Sequence, residues 1–297
     1  MSDPTSFRTI AVPTADGFTL GARLYGDLAD ARAGVLIAPA MGVPQGYYAD
    51  FAGWLARQGY AVLSFDYRGI GASRPEAFGR SLRGFAADVV TWAELDAGAA
   101  VERLERELAA AGVPARRIHW LGHSLGGQIV GLLPDASRLG AVVTVASGSG
   151  YWRENARRLR RSVWALWYLI APLAVTLAGY FPGRRLRKVG DLPAGVMTQW
   201  RRWCLSPEYM MGEGGAPLRA RYAQVRNPIL SLSFTDDEFM SARNIESLHG
   251  FYAGAAREMR RIAPQDVGER AIGHFGFFRA RFARSLWPQV AQFLAAA

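Results

Sequence analysis

The chain has 297 residues, 50% of them hydrophobic and 20% charged, with a net charge of +10 and one cysteine. That balance excludes a disordered or low-complexity chain and is enough for one large α/β domain with an ample core. The lone Cys204 excludes an internal disulfide framework and fits a reducing compartment.

In chain order, the opening MSDPTSFRTIAVPTADG lacks a basic start followed by an apolar core, so no signal peptide is expected and the cytoplasm is the expected location. GFTLGARLYG reads as a strand after the Asp16-Gly17 turn, AGVLIAPA as a short buried strand, and GYAVLSFDY as another. Helical stretches lie at YYADFAGWLARQG and from about Phe85 to Ala111, where Val89, Trp92, Leu95, Val101, Leu104 and Leu108 recur at helical spacing. RIHWLGH and GAVVTVASGS are further strands, and NPILSLSF is expected to be the last. Short apolar strands alternating with helices predict an α/β fold, with a mostly parallel central sheet covered by helices on both faces.

The alternation breaks after Gly150. Residues 153–226 hold 14 basic and 4 acidic side chains, whereas the rest of the chain balances 21 against 21. Five of the nine tryptophans lie in or beside this stretch. The strand pattern then resumes, so 153–226 reads as a helical, basic insertion into a core of residues 1–152 and 227–297.

Within LGHSLGG, Ser124 stands between Gly122 and Gly126 where a strand turns into the helix expected for LGGQIVGLL. A sharp strand–turn–helix presents a hydroxyl at the carboxyl end of the sheet, and glycines on either side remove side chains that would collide across the turn. A serine hydroxyl needs a base to become a nucleophile. Of the four histidines, His119 falls inside a strand, His123 is the turn's own variable position, and His249 falls in the helical stretch NIESLHGFYAG. His274, in RAIGHFGFF, is a Gly-His in a loop beyond the strands and is the expected base. The orienting acid is expected just after NPILSLSF, at Asp237, with Asp236 as the alternative. The chain order Ser…Asp…His is that of an α/β-hydrolase triad.

The chain resembles the α/β-hydrolases, in particular the serine-aminopeptidase and monoacylglycerol-lipase-like group. The resemblance covers about residues 10–150 and 227–297. It is carried by FDYRGIGAS at 65–73, LGHSLGG at 121–127, the acid after NPILSLSF, and GHFGFF at 273–278. It implies acyl transfer to water through an acyl-enzyme on Ser124, and a helical lid inserted after the sixth strand. By position it implies an oxyanion hole formed by the amides of Met41 and Leu125. Here Pro39-Ala40-Met41-Gly42 replaces the group's usual His-Gly, and Phe234-Thr235-Asp236-Asp237 replaces its Gly-x-x-Asp.

No cofactor or metal is expected: there is no Cys/His cluster for zinc, no dinucleotide fingerprint and no phosphate loop. The expected partner is a small hydrophobic acyl substrate, an ester or lipid. A thioesterase or acyltransferase would use the same residues, and a non-catalytic binding protein on the same fold is the alternative of another class. Nucleic acid is not expected, because the basic residues alternate with bulky apolar ones.

Between Arg161 and Arg184 the run SVWALWYLIAPLAVTLAGYFPG carries no charge, and Pro172 is expected to divide it into two short helices. A single membrane crossing there would separate Ser124 from Asp237 and His274. Two expectations remain: a pair of helices covering the pocket, or an apolar surface dipping into an anionic membrane, which would seat the protein on the inner membrane surface.

Overall fold

The computed structural model describes residues 6–113, 118–186 and 189–297; Arg117 of the RIHWLGH stretch, and Arg187 and Lys188 of the basic one, lie outside them. Ten strands are described: β1 (Phe7–Pro13), β2 (Thr19–Tyr25), β3 (Ala33–Ala38), β4 (Tyr60–Phe65), β5 (Ile118–His123), β6 (Leu139–Val145), β7 (Tyr180–Phe181), β8 (Leu192–Pro193), β9 (Ile229–Phe234) and β10 (Arg257–Ile262). Eight of them form one sheet in the order β1-β2-β4-β3-β5-β6-β9-β10, and β7 and β8 form a small separate ladder. β1–β2 and β2–β4 are antiparallel; every other neighbouring pair in the large sheet is parallel.

Side chains alternate between the two faces of this sheet. On β3, Val35 and Ile37 point to one side and pack in a core with Phe51 and Leu55 of α1 (Ala49–Arg57). The same core takes in Val290 and Leu294 near the C-terminus. Leu36 and Ala38 point to the other face, into a core with Val89 of the short α2 (Val89–Thr91) and Leu104 and Leu108 of α3 (Gly98–Ala110). Burial on both faces explains the continuous apolar runs of the central strands.

The remaining helices are α4 (Leu125–Gln128), α5 (Arg157–Ala165), α6 (Ala171–Ala178), α7 (Ala194–Leu205), α8 (Met210–Ala223), α9 (Ala242–Phe251), α10 (Gly273–Gly276) and α11 (Trp287–Ala296).

Several sequence expectations need correction. β9 is not the last strand. β10 follows it at the sheet edge, and its pattern REMRRI hides it because only Ile262 is buried; charged side chains on an edge strand guard it against pairing with other chains. β1, at the opposite edge, buries only Ile10 and Val12. The helix expected from Phe85 begins at Val89, where the Asp88 side chain accepts from Thr91 N–H and Gln199 Oε1 accepts from Val89 and Val90.

The helix after Ser124 stops after one turn, at Gln128. The carbonyls a longer helix would use are already taken: Trp120 Nε1 donates to Gly126, Tyr252 to Gly127, and Tyr222 to Gln128. Pro172 does not divide the uncharged run either. Residues 157–178 form one continuous 22-residue helix. A widened π-turn over Leu166–Ile170 comes immediately before the proline, where an α-helical ladder would meet its missing N–H and its ring.

Candidate active site

Three turns meet at the carboxyl edge of the sheet. The first joins β5 to α4. Ser124 sits there with φ 51° and ψ −108°, a conformation that costs a side-chain-bearing residue about 1–3 kcal/mol. Its N–H is held by the Val145 carbonyl at 2.9 Å. A Cβ at position 122 would overlap the backbone of Gly126, and one at 126 would overlap the Ala38 carbonyl, so the turn closes only with glycine at both places.

The second turn follows β9. Asp237 is buried, and its Oδ1 accepts from Phe239 and Met240 N–H, both at 2.8 Å. The third turn is α10, which carries His274 on a single helical turn rather than in an open loop. His274 Nδ1 lies 2.9 Å from Asp237 Oδ2 and 3.1 Å from Oδ1. An imidazole that donates from Nδ1 to a carboxylate keeps Nε2 as its acceptor. His274 is 4% exposed and packs edge-on against Phe239.

The structure separates the two acids offered by the sequence. Asp236 is exposed, and its Oδ2 accepts from Ile272 and Gly273 N–H at 2.8 and 3.1 Å. It therefore holds the backbone ahead of His274, while Asp237 meets the ring. Glu238 accepts from the N–H of His274 at 2.9 Å. All three consecutive acids thus end on the histidine's turn.

The link between this turn and the serine is the residue before Ser124. His123 is wholly buried, and its Nε2 lies 3.1 Å from the His274 carbonyl oxygen. In the sequence His123 reads only as the variable position of the serine's turn. The signal passed over was a histidine at a turn position with no water around it, which must find partners in the protein. Among the described residues no acceptor meets the Met41 N–H, and Leu125 opens its helix, so its N–H has no helical partner. The other two histidines are structural. His119 Nδ1 accepts from Ala141 N–H, and His249 lies between Thr144 Oγ1 and the Ile245 carbonyl. FDYRGIGAS is scaffold too: Asp66 accepts from Gln45 and Ala72, and Arg68 pairs with Asp16 and Asp96. A cleft of about 630 Å³ lined by Asp16, Arg68, Phe85 and Asp88 opens beside that scaffold, away from Ser124. Among the described residues no His/Cys/Asp/Glu cluster is arranged to hold a metal ion.

A mostly parallel sheet whose strand–turn–helix presents a serine, with an Asp–His pair beyond later strands, defines an α/β-hydrolase fold. The sequence matches the serine aminopeptidase S33 family of hydrolases over residues 29–263, and the chain belongs to that family. No curated protein sequence matches it. Among solved structures it is similar to a soluble variant of monoglyceride lipase from Saccharomyces cerevisiae in complex with a substrate analogue. That likeness has a TM-score of 0.69 and 15% identity, and covers 98% of this chain and 94% of the other. It is also similar to the Pyrococcus furiosus esterase Pf2001 (TM-score 0.60, 14% identity, 98% and 92% covered). A third is Thermogutta terrifontis esterase 2 phosphoramylated by tabun (TM-score 0.57, 15% identity, 99% and 96% covered).

Proposed function

We propose that the protein is a serine hydrolase that cleaves a hydrophobic carboxylic ester or lipid through an acyl-enzyme on Ser124. The observation that carries this reading is the buried pairing of His274 Nδ1 with Asp237, tied through His123 to the turn that presents Ser124. In the proposed reaction Ser124 Oγ attacks the ester carbonyl carbon and His274 Nε2 takes the hydroxyl proton. The tetrahedral oxyanion accepts hydrogen bonds from the amides of Met41 and Leu125. Collapse breaks the bond to the alcohol, which leaves with the proton from His274. A water then repeats the sequence: His274 takes its proton, its oxygen attacks the acyl carbon, and the carboxylic acid and free Ser124 are released. Asp237 keeps the imidazole in the right tautomer and stabilises its charged form. Losing one oxyanion donor typically costs roughly 10²–10³ in rate.

A panel of p-nitrophenyl esters of increasing acyl length tests the reading. Turnover by the native protein that favours longer acyl chains and vanishes in Ser124→Ala is expected. Equal release by the two proteins on every ester would refute it.

The same proposal places the 153–226 region against lipid. The helix 157–178 buries Val163, Trp167 and Ala171 along one stripe, and exposes Trp164, Tyr168, Leu169, Leu173 and Leu177. Leu177 is 74% exposed. Arg157, Arg158, Arg160 and Arg161 stand exposed at the helix start, and no ion pair engages them among the described residues. An apolar face beside a row of arginines is complementary to a bilayer with anionic headgroups. The helix lies on such a surface rather than across it, because its buried stripe packs against the rest of the chain. Binding to phosphatidylglycerol-containing vesicles that weakens with salt is expected; equal binding to phosphatidylcholine vesicles at every salt concentration would contradict it.

A further inference from the structure

The hydrogen bonds around His123 reach past the groups that the proposed reaction uses. The N–H of Ala40, the residue before Met41, donates to the Tyr48 hydroxyl at 2.8 Å. That hydroxyl lies 3.0 Å from His123 Nδ1, and His123 Nε2 lies 3.1 Å from the His274 carbonyl oxygen. A carbonyl oxygen only accepts, so the proton of a neutral His123 sits on Nε2. Nδ1 then accepts, and the Tyr48 hydroxyl donates to it while accepting from Ala40. One polarity runs through the chain, and no donor faces a donor.

The surroundings fix that polarity. Tyr48 and His123 are both wholly buried, and the rings of Tyr47, Phe275 and Phe278 enclose the imidazole. Burial holds the His123 pKa far below the ordinary histidine value, so the ring stays neutral. If it were protonated, its Nδ1 would point a proton at the Tyr48 hydroxyl and break the chain's direction.

These hydrogen bonds run from the turn after β3, past the residue before Ser124, to the turn of His274. Ala40 opens the turn of the Met41 amide, His123 precedes Ser124, and His274 is the proposed base. The backbone of His274 is gripped at both of its polar groups, its N–H by Glu238 and its carbonyl by His123. Its ring is held by Asp237.

We propose that His123 is a positioning residue: through Tyr48 on one side and the His274 carbonyl on the other, it sets the base and the Met41 amide in register with Ser124. The proposal rests on the serine-hydrolase reading. A side chain that only filled space there could be replaced by phenylalanine, which has nearly the same shape and neither nitrogen.

Three variants test it: His123→Phe, which loses both bonds; His123→Gln, whose amide can still donate to the His274 carbonyl; and Tyr48→Phe, a milder cut at the other end. In His123→Phe, kcat on a p-nitrophenyl ester should fall about 30-fold or more with KM within about 2-fold, since small misplacements of catalytic groups act on the chemical step. His123→Gln should recover at least about a third of native kcat, because it keeps the bond to the base. The Ala40 amide should exchange with deuterium at least about 10-fold faster in Tyr48→Phe and in any His123 variant that folds. A folded His123→Phe protein with native kcat would overturn the proposal while leaving the hydrolase reading in place. If the native protein neither turns over esters nor labels with a fluorophosphonate, the hydrolase reading fails instead. The coupling is then judged by exchange alone: unchanged Ala40 exchange in Tyr48→Phe overturns it.

Discussion

The carboxyl edge of the sheet and the helix 157–178 solve opposite problems. At the sheet edge, the polar groups around His123 are buried and matched: His123 has no exposure and a partner for each ring nitrogen. On the helix, five large apolar side chains stand about half or more exposed to water, Tyr168 among them with the Trp152 ring edge-on beside it. An unpaired buried polar group costs about 1–3 kcal/mol, so the matching at the edge is a requirement and fixes the geometry before any ligand arrives. Exposed apolar area carries a cost of roughly 25 cal/mol per Å², which an apolar surface would relieve. Around His123 the chain itself supplies the polar partners; along the helix, apolar area is left facing water.

The largest expected effect separates two neighbours at the edge. Asp237→Asn should lower kcat about 10⁴-fold by spoiling the imidazole tautomer. Asp236→Asn keeps an acceptor for Ile272 and Gly273 N–H and should cost less than about 10-fold. Equal losses in the two variants would remove the distinction between ring-holding and backbone-holding acids.

On the helix, replacing Trp164, Leu169, Leu173 and Leu177 together by serine should weaken binding to anionic vesicles about 100-fold or more, since each loses most of a buried side chain's transfer energy. Vesicle co-sedimentation reads the binding, and fluorophosphonate labelling in free solution reads whether the site has been disturbed. Unchanged co-sedimentation would mean that this face is not what touches lipid.

The smallest effect concerns a buried histidine away from both regions. Burial pushes the His249 pKa down to about 4. The folded protein therefore binds a proton at 249 more weakly than the unfolded chain does. Stability from this group is fully present above the ordinary value near 6.5 and is lost as pH falls toward 4, with a slope of at most about 1.4 kcal/mol per pH unit. Urea unfolding of His249→Gln should show a shallower loss across that window. A slope identical to the native one would place the acid sensitivity elsewhere, His123 being the other histidine held neutral by burial.

How far the sequence could be read follows the same division. The central strands were legible because burial on both faces demands unbroken apolar runs, and the tight turn at Ser124 because its backbone leaves no room for a Cβ at 122 or 126. β10 was not, since an edge strand needs no apolar pattern. The early end of α4 was hidden because much of its cause lies in Tyr222 and Tyr252, side chains 94 and 125 positions from the carbonyls they meet. Pro172 misled for a related reason: a helix can absorb a proline by widening one turn, and sequence spacing does not show whether it will. His123 shows the limit most plainly. Its roles depend on Tyr48 and on a carbonyl 151 positions away, and no local pattern encodes either.

The central claim is that Ser124 is a nucleophile activated by His274. Treating the protein with a fluorophosphonate and mapping the adduct by mass spectrometry tests it most directly. The account predicts one phosphonylated residue, Ser124, with labelling lost in Ser124→Ala and slowed at least about 10³-fold in His274→Ala. An adduct on another residue, or labelling as fast without His274 as with it, would contradict the account.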